Sequence, residues 1–219
     1  MKKKYQAVVF DLDGTLLNTL EDLMNSVNHG LTLMNMPERS LEEIRHFVGN
    51  GVQRLIELAV PQGTGQAETD QVFSLFKEHY ALHCNDKTDV YPRTLELLAD
   101  LKERGFLIAI VSNKLQEGVD ALNRQYFAPF TKVAIGAREG IRKKPAPDTV
   151  LEALHILGVT KEEAVYVGDS EVDIATAANT GMDCITVAWG FRTRKEQEAA
   201  GGKIFVDSPE KILDFLYES

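Results

Sequence analysis

Short apolar runs rich in valine and isoleucine recur along this chain and alternate with segments whose apolar residues are spaced three and four apart. The runs lie at 6–10, 106–111, 132–135, 164–167, 183–188 and 203–206. Continuous apolar runs of this length are typical of strands that are covered on both faces of a sheet. The helical segments lie at 93–104, 116–126, 147–157, 171–180 and 209–217. The alternation predicts an α/β fold with a doubly wound parallel sheet.

One long segment, residues 17–88, interrupts this alternation because it contains helical patterns but no strand-like run. Its first helical stretch has the spacing of a helix that buries one face, with apolar residues at Leu20, Leu23, Val27 and Leu31. Further helical stretches lie at 41–47, 52–59 and 72–83. We therefore expect a core of residues 1–16 and 89–219 that carries a small all-helical insertion, residues 17–88.

The composition limits the partners that this protein can bind. The 219 residues carry a formal net charge of −9, which argues against broad electrostatic attraction to nucleic acid or to an anionic membrane. The sequence has no apolar run of ~20 residues and no signal-peptide pattern. Its two cysteines lack the spacing of a metal site, which fits a reducing compartment. We expect a cytoplasmic monomer or homodimer that binds neither nucleic acid nor membranes.

Polar side chains follow the predicted strands, where ligands bind in an open parallel sheet. Asp11 and Asp13 come directly after the first strand. The other candidates follow later strands or precede a later helix, and they are Ser112, Asn113, Lys114, Lys143, Lys144, Asp169 and Asp173. These residues are expected to meet at one edge of the sheet. An alternative for Asp169 is a purely structural role as a helix N-cap.

This set of side chains suits phosphoryl transfer. The carboxylates of Asp11 and Asp13 repel each other unless a cation relieves the repulsion, and hard oxygen ligands select Mg²⁺. One carboxylate can attack phosphorus and form an aspartyl phosphate, while its neighbour transfers protons. A lysine and a hydroxyl group can hold the phosphoryl oxygens. The residues therefore predict a Mg²⁺-dependent enzyme that acts on a phosphate ester.

The motifs DLDGT, VSN, KKPAPD and GDSEVD occur in this order after successive strands, and they resemble the four motifs of phosphatases in the haloacid dehalogenase superfamily. The stretches VGNG at 48–51, GDSEVDIATAANTG and TVAWGFRT are similar to the phosphoglycolate phosphatase group of that superfamily. The resemblance implies a Rossmann-like core. It also implies that the helical insertion is a cap over the strand ends that selects the substrate.

The resemblance also implies a role for each motif residue. Asp11 would be the nucleophile and Asp13 the general acid and base. Asp11, the backbone carbonyl of Asp13, and Asp169 would bind Mg²⁺, with Asp173 in a second shell that orients a metal-bound water. The phosphate would be bound by Ser112, Asn113 and Lys144, of which Ser112 and Lys144 are also counted as catalytic.

Several functions remain open at this stage. The resemblance favours a small phosphorylated metabolite, with 2-phosphoglycolate first and pyrophosphate or a sugar phosphate next. A phosphomutase would pass the phosphoryl group to a sugar instead of water. A phospho-aspartate signalling module is the non-enzymatic alternative, but its fold has no helical insertion after the first strand and its nucleophile does not follow that strand.

The insertion offers one candidate substrate loop, Gly49, Asn50 and Gly51, with Arg54 one helical turn further on. A residue with glycines on both sides most simply indicates a tight turn in which the backbone needs positive φ. Arg54 could bind a substrate carboxylate bidentately, and the alternative is an exposed arginine on a helix.

Overall fold

The structure is a computed structural model, and it describes residues 2–218. The chain forms two compact units. One unit, the core, contains the chain up to Leu17 and from Val90 onwards, and the other, the helical unit, is Asn18–Asp89.

The strands form a six-stranded sheet in the core and a two-stranded sheet where the chain passes between the units. In chain order they are β1 Ala7–Phe10, β2 Leu17–Asn18, β3 Asp89–Val90, β4 Leu107–Leu115, β5 Val133–Ala137, β6 Ala164–Gly168, β7 Asp183–Val187 and β8 Ile204–Val206. The large sheet has the order β5-β4-β1-β6-β7-β8 and all of its pairs are parallel. Strand β2 pairs with β3. The predicted doubly wound α/β fold is confirmed.

The helices lie in both units. In the helical unit they are α1 Leu20–Leu33, α2 Leu41–Phe47, α3 Val52–Ala59 and α4 Gln66–His83. In the core they are α5 Thr94–Glu103, α6 Gln116–Leu122, α7 Asp148–Leu157, α8 Glu171–Thr180 and α9 Arg194–Ala199. A π turn, Asn123–Phe127, continues α6, and 3-10 turns cover Lys161–Glu163 and Pro209–Phe215.

Alternate residues of the central strands pack against opposite faces of the core sheet. Val8 and Phe10 of β1 face the cluster that includes Leu98 of α5. Val9 faces the cluster that includes Val150 of α7. Since both faces are buried, the strands read as continuous apolar runs rather than as an alternation of apolar and polar residues.

The helical unit has its own apolar core between α1 and α4. Val27 and Leu31 of α1 and Val72 of α4 are each fully buried. A buried carboxylate, Asp22, lies near the start of α1 and accepts hydrogen bonds from the backbone N–H groups of Lys87 (3.0 Å) and Thr88 (2.8 Å) and from the Thr88 hydroxyl (2.8 Å). Asp22 therefore fixes the end of the helical unit to its first helix.

Two helical predictions differ from the structure, and one helix is absent from the predictions. Helix α4 begins at Gln66, whereas the predicted helix begins at 72. Its first turn is polar, so the apolar pattern does not reveal it. The Glu68 carboxylate caps this turn by accepting from the Gly65 N–H. The helix predicted over 209–217 is a 3-10 segment, Pro209–Phe215. Helix α9 has no apolar stripe to predict it, although Thr193 and Glu196 form a capping box at its start.

Among residues 2–218, the structure has no helix that is long and apolar enough to cross a bilayer.

Candidate active site

The parallel register of the central strands brings the predicted site residues to one edge of the sheet. Phe10, the last residue of β1, pairs with Ile110 of β4 on one side and with Val167 of β6 on the other. The Asp11 N–H then donates to the carbonyl of Val167 at 2.9 Å. The residues just beyond these paired positions are therefore neighbours, as the sequence predicts. Three of the predicted residues lie within β4 rather than after it, namely Ser112, Asn113 and Lys114.

Lys144 lies at the centre of the site. Its ammonium group donates to Asp11 Oδ1 at 2.6 Å and to Asp173 Oδ1 at 2.8 Å. The side chains of Lys144, Asp11 and Asp173 are 3%, 8% and 1% exposed. Burial alone would lower the pKa of Lys144, but the charges of Asp11 and Asp173 raise it well above its ordinary value. The lysine therefore stays positively charged.

Three carboxylates, those of Asp11, Asp169 and Asp173, offer oxygens that all lie within 4.8 Å of one another. Burial, followed by the charge of Asp173, raises the pKa of Asp11 well above its ordinary value and that of Asp169 to about 7. Burial would raise the pKa of Asp173, but the contacts with Lys144 and the hydrogen bonds from Ser170 together hold it below its ordinary value. When ionised, these three buried carboxylates carry more negative charge than the one lysine can balance. Their hard oxygens fit a divalent cation.

Asp13 contacts two residues of β4. The Ser112 hydroxyl donates to Asp13 Oδ2 at 3.1 Å and the Lys114 ammonium donates to Asp13 Oδ1 at 2.7 Å. The Lys114 N–H in turn donates to the Ser112 hydroxyl oxygen at 3.0 Å. Asp13 is thus oriented by a hydroxyl group and a buried cation, and this role of Lys114 is absent from the sequence prediction.

A break in strand pairing explains why β4 places so many polar side chains at this edge. Val111 pairs with Ile135, but Leu115 already pairs with Ala137, so the register shifts across the residues between. A bulge of this kind re-aims side chains next to the point where regular pairing stops. Ser112, Asn113 and Lys114 are consequently all buried.

Asn113, predicted to bind phosphate, contacts the loop that carries Lys144. Its side-chain amide donates to the Lys144 carbonyl at 2.9 Å. The Lys144–Pro145 peptide bond is cis. The side chain of Asn113 therefore links β4 to the backbone of the lysine loop.

Asp169 is held by the chain on several sides. The Phe191 N–H donates to Asp169 Oδ2 at 2.6 Å, and the Thr15 hydroxyl donates to Oδ1 at 3.4 Å. The buried amide of Gln197 donates to the carbonyls of Asp169 and Val187, both at 2.8 Å. Phe191 and Thr15 thereby hold the Asp169 carboxylate, and Gln197 of α9 holds its backbone carbonyl.

Two glycines leave space for Asp169. A Cβ atom at Gly14 would lie 2.6 Å from an Asp169 oxygen, and Gly14 also has φ of 92°. A Cβ at Gly190 would overlap Asp169 and the carbonyl of Gly14. The glycine in DLDGT is therefore required both by its backbone conformation and by the close approach of a carboxylate.

Asp173 combines a structural contact with a contact to the site. Ser170, not Asp169, is the N-cap of α8 and forms a capping box with Asp173. The Asp173 Oδ2 atom accepts from the Ser170 N–H at 3.0 Å and from its hydroxyl at 2.6 Å. Its Oδ1 atom accepts from Lys144 and, at 3.0 Å, from the Tyr166 hydroxyl. The N-cap alternative for Asp169 is wrong.

Of the candidate residues of the insertion, Gly49, Asn50 and Gly51 lie between α2 and α3 of the helical unit, and Arg54 lies in α3. Gly49 and Gly51 have φ of 124° and 84°, so the prediction of a tight turn with positive φ is confirmed. Arg54 is exposed on α3 and donates to Glu57 at 3.1 Å.

Comparison with known proteins identifies the family. The haloacid dehalogenase-like hydrolase family matches residues 8–187. A phosphoglycolate phosphatase of Pseudomonas putida is 32% identical over 212 residues, which cover 94% of this chain and 78% of that protein. A phosphoglycolate phosphatase of Mesorhizobium japonicum is 33% identical over 195 residues, which cover 87% of this chain and 86% of that protein.

A solved structure agrees with these relatives. The crystal structure of a protein from Lactobacillus delbrueckii subsp. bulgaricus, assigned as a phosphoglycolate phosphatase, is 35% identical to this chain. It superposes with a TM-score of 0.93 over 99% of this chain and 100% of that one. The resemblance in the four motifs is confirmed. The chain belongs to the haloacid dehalogenase-like hydrolase family and is a phosphatase of that family.

Proposed function

We propose that this protein is a Mg²⁺-dependent phosphatase that hydrolyses a small phosphomonoester through an aspartyl phosphate at Asp11. The observation that carries the proposal is the buried contact of 2.6 Å between Lys144 and Asp11 beside two further buried carboxylates. This arrangement holds a carboxylate oxygen next to a fixed positive charge, where a phosphoryl group can be bound and attacked.

In the first step an oxygen of Asp11 attacks phosphorus, and the bond between phosphorus and the leaving oxygen breaks. Asp13 gives a proton to that oxygen, so the alcohol leaves neutral. In the second step a water molecule attacks the phosphorus of the aspartyl phosphate, the bond between phosphorus and Asp11 breaks, and Asp13 takes a proton from that water. Inorganic phosphate leaves and the Asp11 carboxylate is restored.

The contacts of Asp13 support this proton role. Ser112 and Lys114 hold its two oxygens at 3.1 and 2.7 Å, so the carboxyl group is oriented before substrate binds. Positioning of this kind contributes a large part of enzymatic rate enhancement. Ser112, Asn113 and Lys144 are the residues that we assign to phosphate binding.

We assign the metal to Asp11, the backbone carbonyl of Asp13, and Asp169. Mg²⁺ would supply positive charge that neutralises the phosphoryl oxygens and the carboxylates. Asp173 is assigned to the second shell because both of its oxygens already accept two hydrogen bonds from the chain. A carboxylate engaged in this way orients other ligands rather than binding the metal itself.

The proposed substrate is 2-phosphoglycolate, since this activity is named for relatives that match most of the chain. We propose that the helical unit, residues 18–89, is the cap that selects the substrate, with Gly49, Asn50, Gly51 and Arg54 as candidate contacts. We propose that the protein acts in the cytoplasm and that its partner is a small phosphorylated metabolite.

The first test is phosphate release from 2-phosphoglycolate, pyrophosphate, glucose 1-phosphate and an aryl phosphate, each with and without Mg²⁺. We expect Mg²⁺-dependent release with 2-phosphoglycolate preferred, and loss of release in Asp11→Asn with an unchanged circular dichroism spectrum. Near-normal activity in that variant would exclude Asp11 as nucleophile. Conversion of a sugar phosphate without phosphate release would indicate a mutase, and a long-lived phosphoprotein would indicate a signalling module.

A further inference from the structure

Tyr166 is a buried tyrosine in the middle of β6, and the proposed catalytic steps do not use it. Its side chain is completely buried. The ring lies on the face of the sheet that packs against α7 and α8, among Val9, Val150 and Ala177. An aromatic ring at this position needs no hydroxyl group to fill the core, so the hydroxyl requires a separate explanation.

The Tyr166 hydroxyl lies between the two charged groups at the centre of the site. It accepts a hydrogen bond from the Lys144 ammonium at 3.0 Å and donates one to Asp173 Oδ1 at 3.0 Å. Burial raises the pKa of Tyr166 well above its ordinary value, so the phenol keeps the proton that it donates. The phenol is therefore a neutral bridge between a cation and an anion.

The same contacts account for every donor of Lys144. An ammonium group has three N–H donors and no acceptor, and the Lys144 ammonium has three partners in Asp11, Asp173 and Tyr166. With all three donors used, the ammonium cannot rotate freely. Removal of one partner would leave a buried donor unsatisfied and would let the ammonium move off Asp11.

We propose that Tyr166 is a positioning residue that holds the Lys144 ammonium on the nucleophile Asp11 and fixes the Oδ1 atom of Asp173. The inference rests on the proposed function of this site. Tyr166 acts through Lys144 and Asp173 and does not itself contact the reacting atoms.

The test is the variant Tyr166→Phe, which keeps the ring and removes only the bridging hydroxyl. We expect kcat to fall by about ten- to hundredfold, the usual cost of losing an outer-shell partner, with KM for the phosphate ester changed by less than about threefold. The half-saturating Mg²⁺ concentration should rise, because Asp173 loses one of its donors. A role limited to packing would change stability without these kinetic effects.

Tyr5→Phe is the matched control. Tyr5 is also buried, at 4% exposure, and its hydroxyl donates to a carboxylate, Asp183, which lies at the start of β7. This variant should lose stability but keep the kcat, KM and Mg²⁺ requirement of the wild type. It separates the general cost of removing a tyrosine hydroxyl from an effect on the site.

A second variant tests whether a new polar group at this position restores the lost activity. Replacement of Tyr166 by 4-aminophenylalanine places a weaker donor and acceptor at the same position, and we expect it to recover at least a severalfold part of the lost kcat. Wild-type kinetics in Tyr166→Phe would overturn the proposal, and so would a folded aminophenylalanine variant with the kcat of Tyr166→Phe. Inactive wild-type protein would instead refute the proposed function itself.

Discussion

The ammonium group of Lys114 lies 2.7 Å from Oδ1 of Asp13, and its side chain is 5% exposed. The site thus holds two buried lysines, Lys144 in contact with Asp11 and Lys114 in contact with Asp13, the residues that we propose as nucleophile and as general acid and base. Hydrogen bonds between charged groups in a buried site are strong and directional, so Lys114 fixes the orientation of the Asp13 carboxyl group.

Replacement of Lys114 by Met should therefore slow turnover. The variant keeps much of the side-chain volume but removes the donor, and we expect kcat to fall by about tenfold or more because a misplaced acid and base is inefficient. The loss should be smaller for an aryl phosphate, whose leaving oxygen needs little protonation, than for an alkyl phosphate. Steady-state kinetics on both esters measure the difference.

Lys195→Met is the control, since Lys195 lies in the exposed part of α9. It should leave both rates unchanged. Equal losses for the two esters in Lys114→Met would contradict the role in proton transfer and would point to a general distortion of the site.

Divalent metal should stabilise the folded protein, because Asp11, Asp169 and Asp173 converge within 4.8 Å in buried positions. Binding at a hundred times Kd adds about 2.7 kcal/mol of stability, which corresponds to a rise in melting temperature of about 5–10 °C for a chain of this size. Differential scanning fluorimetry with and without Mg²⁺ measures the rise.

Asp169→Asn should diminish the Mg²⁺-dependent rise, since the amide cannot supply the same charge. Asp183→Asn, which changes a carboxylate outside the site, should keep the full rise. A melting temperature that Mg²⁺ leaves unchanged in the wild type would count against the clustered metal site.

The positions of the main site residues could be predicted because they depend on one simple relation. Asp11 and Asp169 each follow an apolar run, and the carboxyl ends of parallel strands meet at one edge. The periodicity of the sequence predicts the runs, and the fold class then brings their ends together.

The contacts of Lys114 and Tyr166 with the site could not be predicted from the sequence, for two physical reasons. The contact between Lys114 and Asp13 depends on the register shift between β4 and β5, which no local pattern indicates. Tyr166 lies inside the apolar run AVYV, so periodicity assigns it to the core. The remaining signal is chemical, since a buried hydroxyl needs a hydrogen-bond partner.

The acid stability of the core should depend on Asp183. Hydrogen bonds from Tyr5 and then Lys4 lower the pKa of Asp183 below its ordinary value of 3.8. A carboxyl group whose pKa is lower in the folded state stabilises the protein above the unfolded value, and this contribution is lost as the pH falls through the folded value. The Asp183 contribution is thus present above about pH 4 and disappears below it.

Tyr5→Phe removes the largest cause of that shift. The difference in unfolding free energy between wild type and Tyr5→Phe should be greatest at neutral pH and should shrink as the pH falls below about 4. Urea titrations at a series of pH values measure it. A difference that stays constant down to strongly acidic pH would mean that the hydroxyl acts through packing alone.

The buried carboxylate of Asp22 should stabilise the helical unit. It is 1% exposed and accepts from the N–H groups of Lys87 and Thr88 and from the Thr88 hydroxyl. Asp22→Asn keeps the size of the side chain but offers one acceptor oxygen and turns an amide towards these donors. We expect a loss of about 1–3 kcal/mol, the cost of a buried donor without a partner.

Hydrogen exchange locates this loss within the helical unit. The backbone amides of Lys87 and Thr88 should exchange faster in Asp22→Asn, because the opened form is more populated. Asp70→Asn is the matched control, since Asp70 is an exposed carboxylate on α4 whose partner is the side chain of Gln66, and it should leave exchange at those two amides unchanged. Unaltered exchange at Lys87 and Thr88 in Asp22→Asn would show that other contacts hold this end of the helical unit.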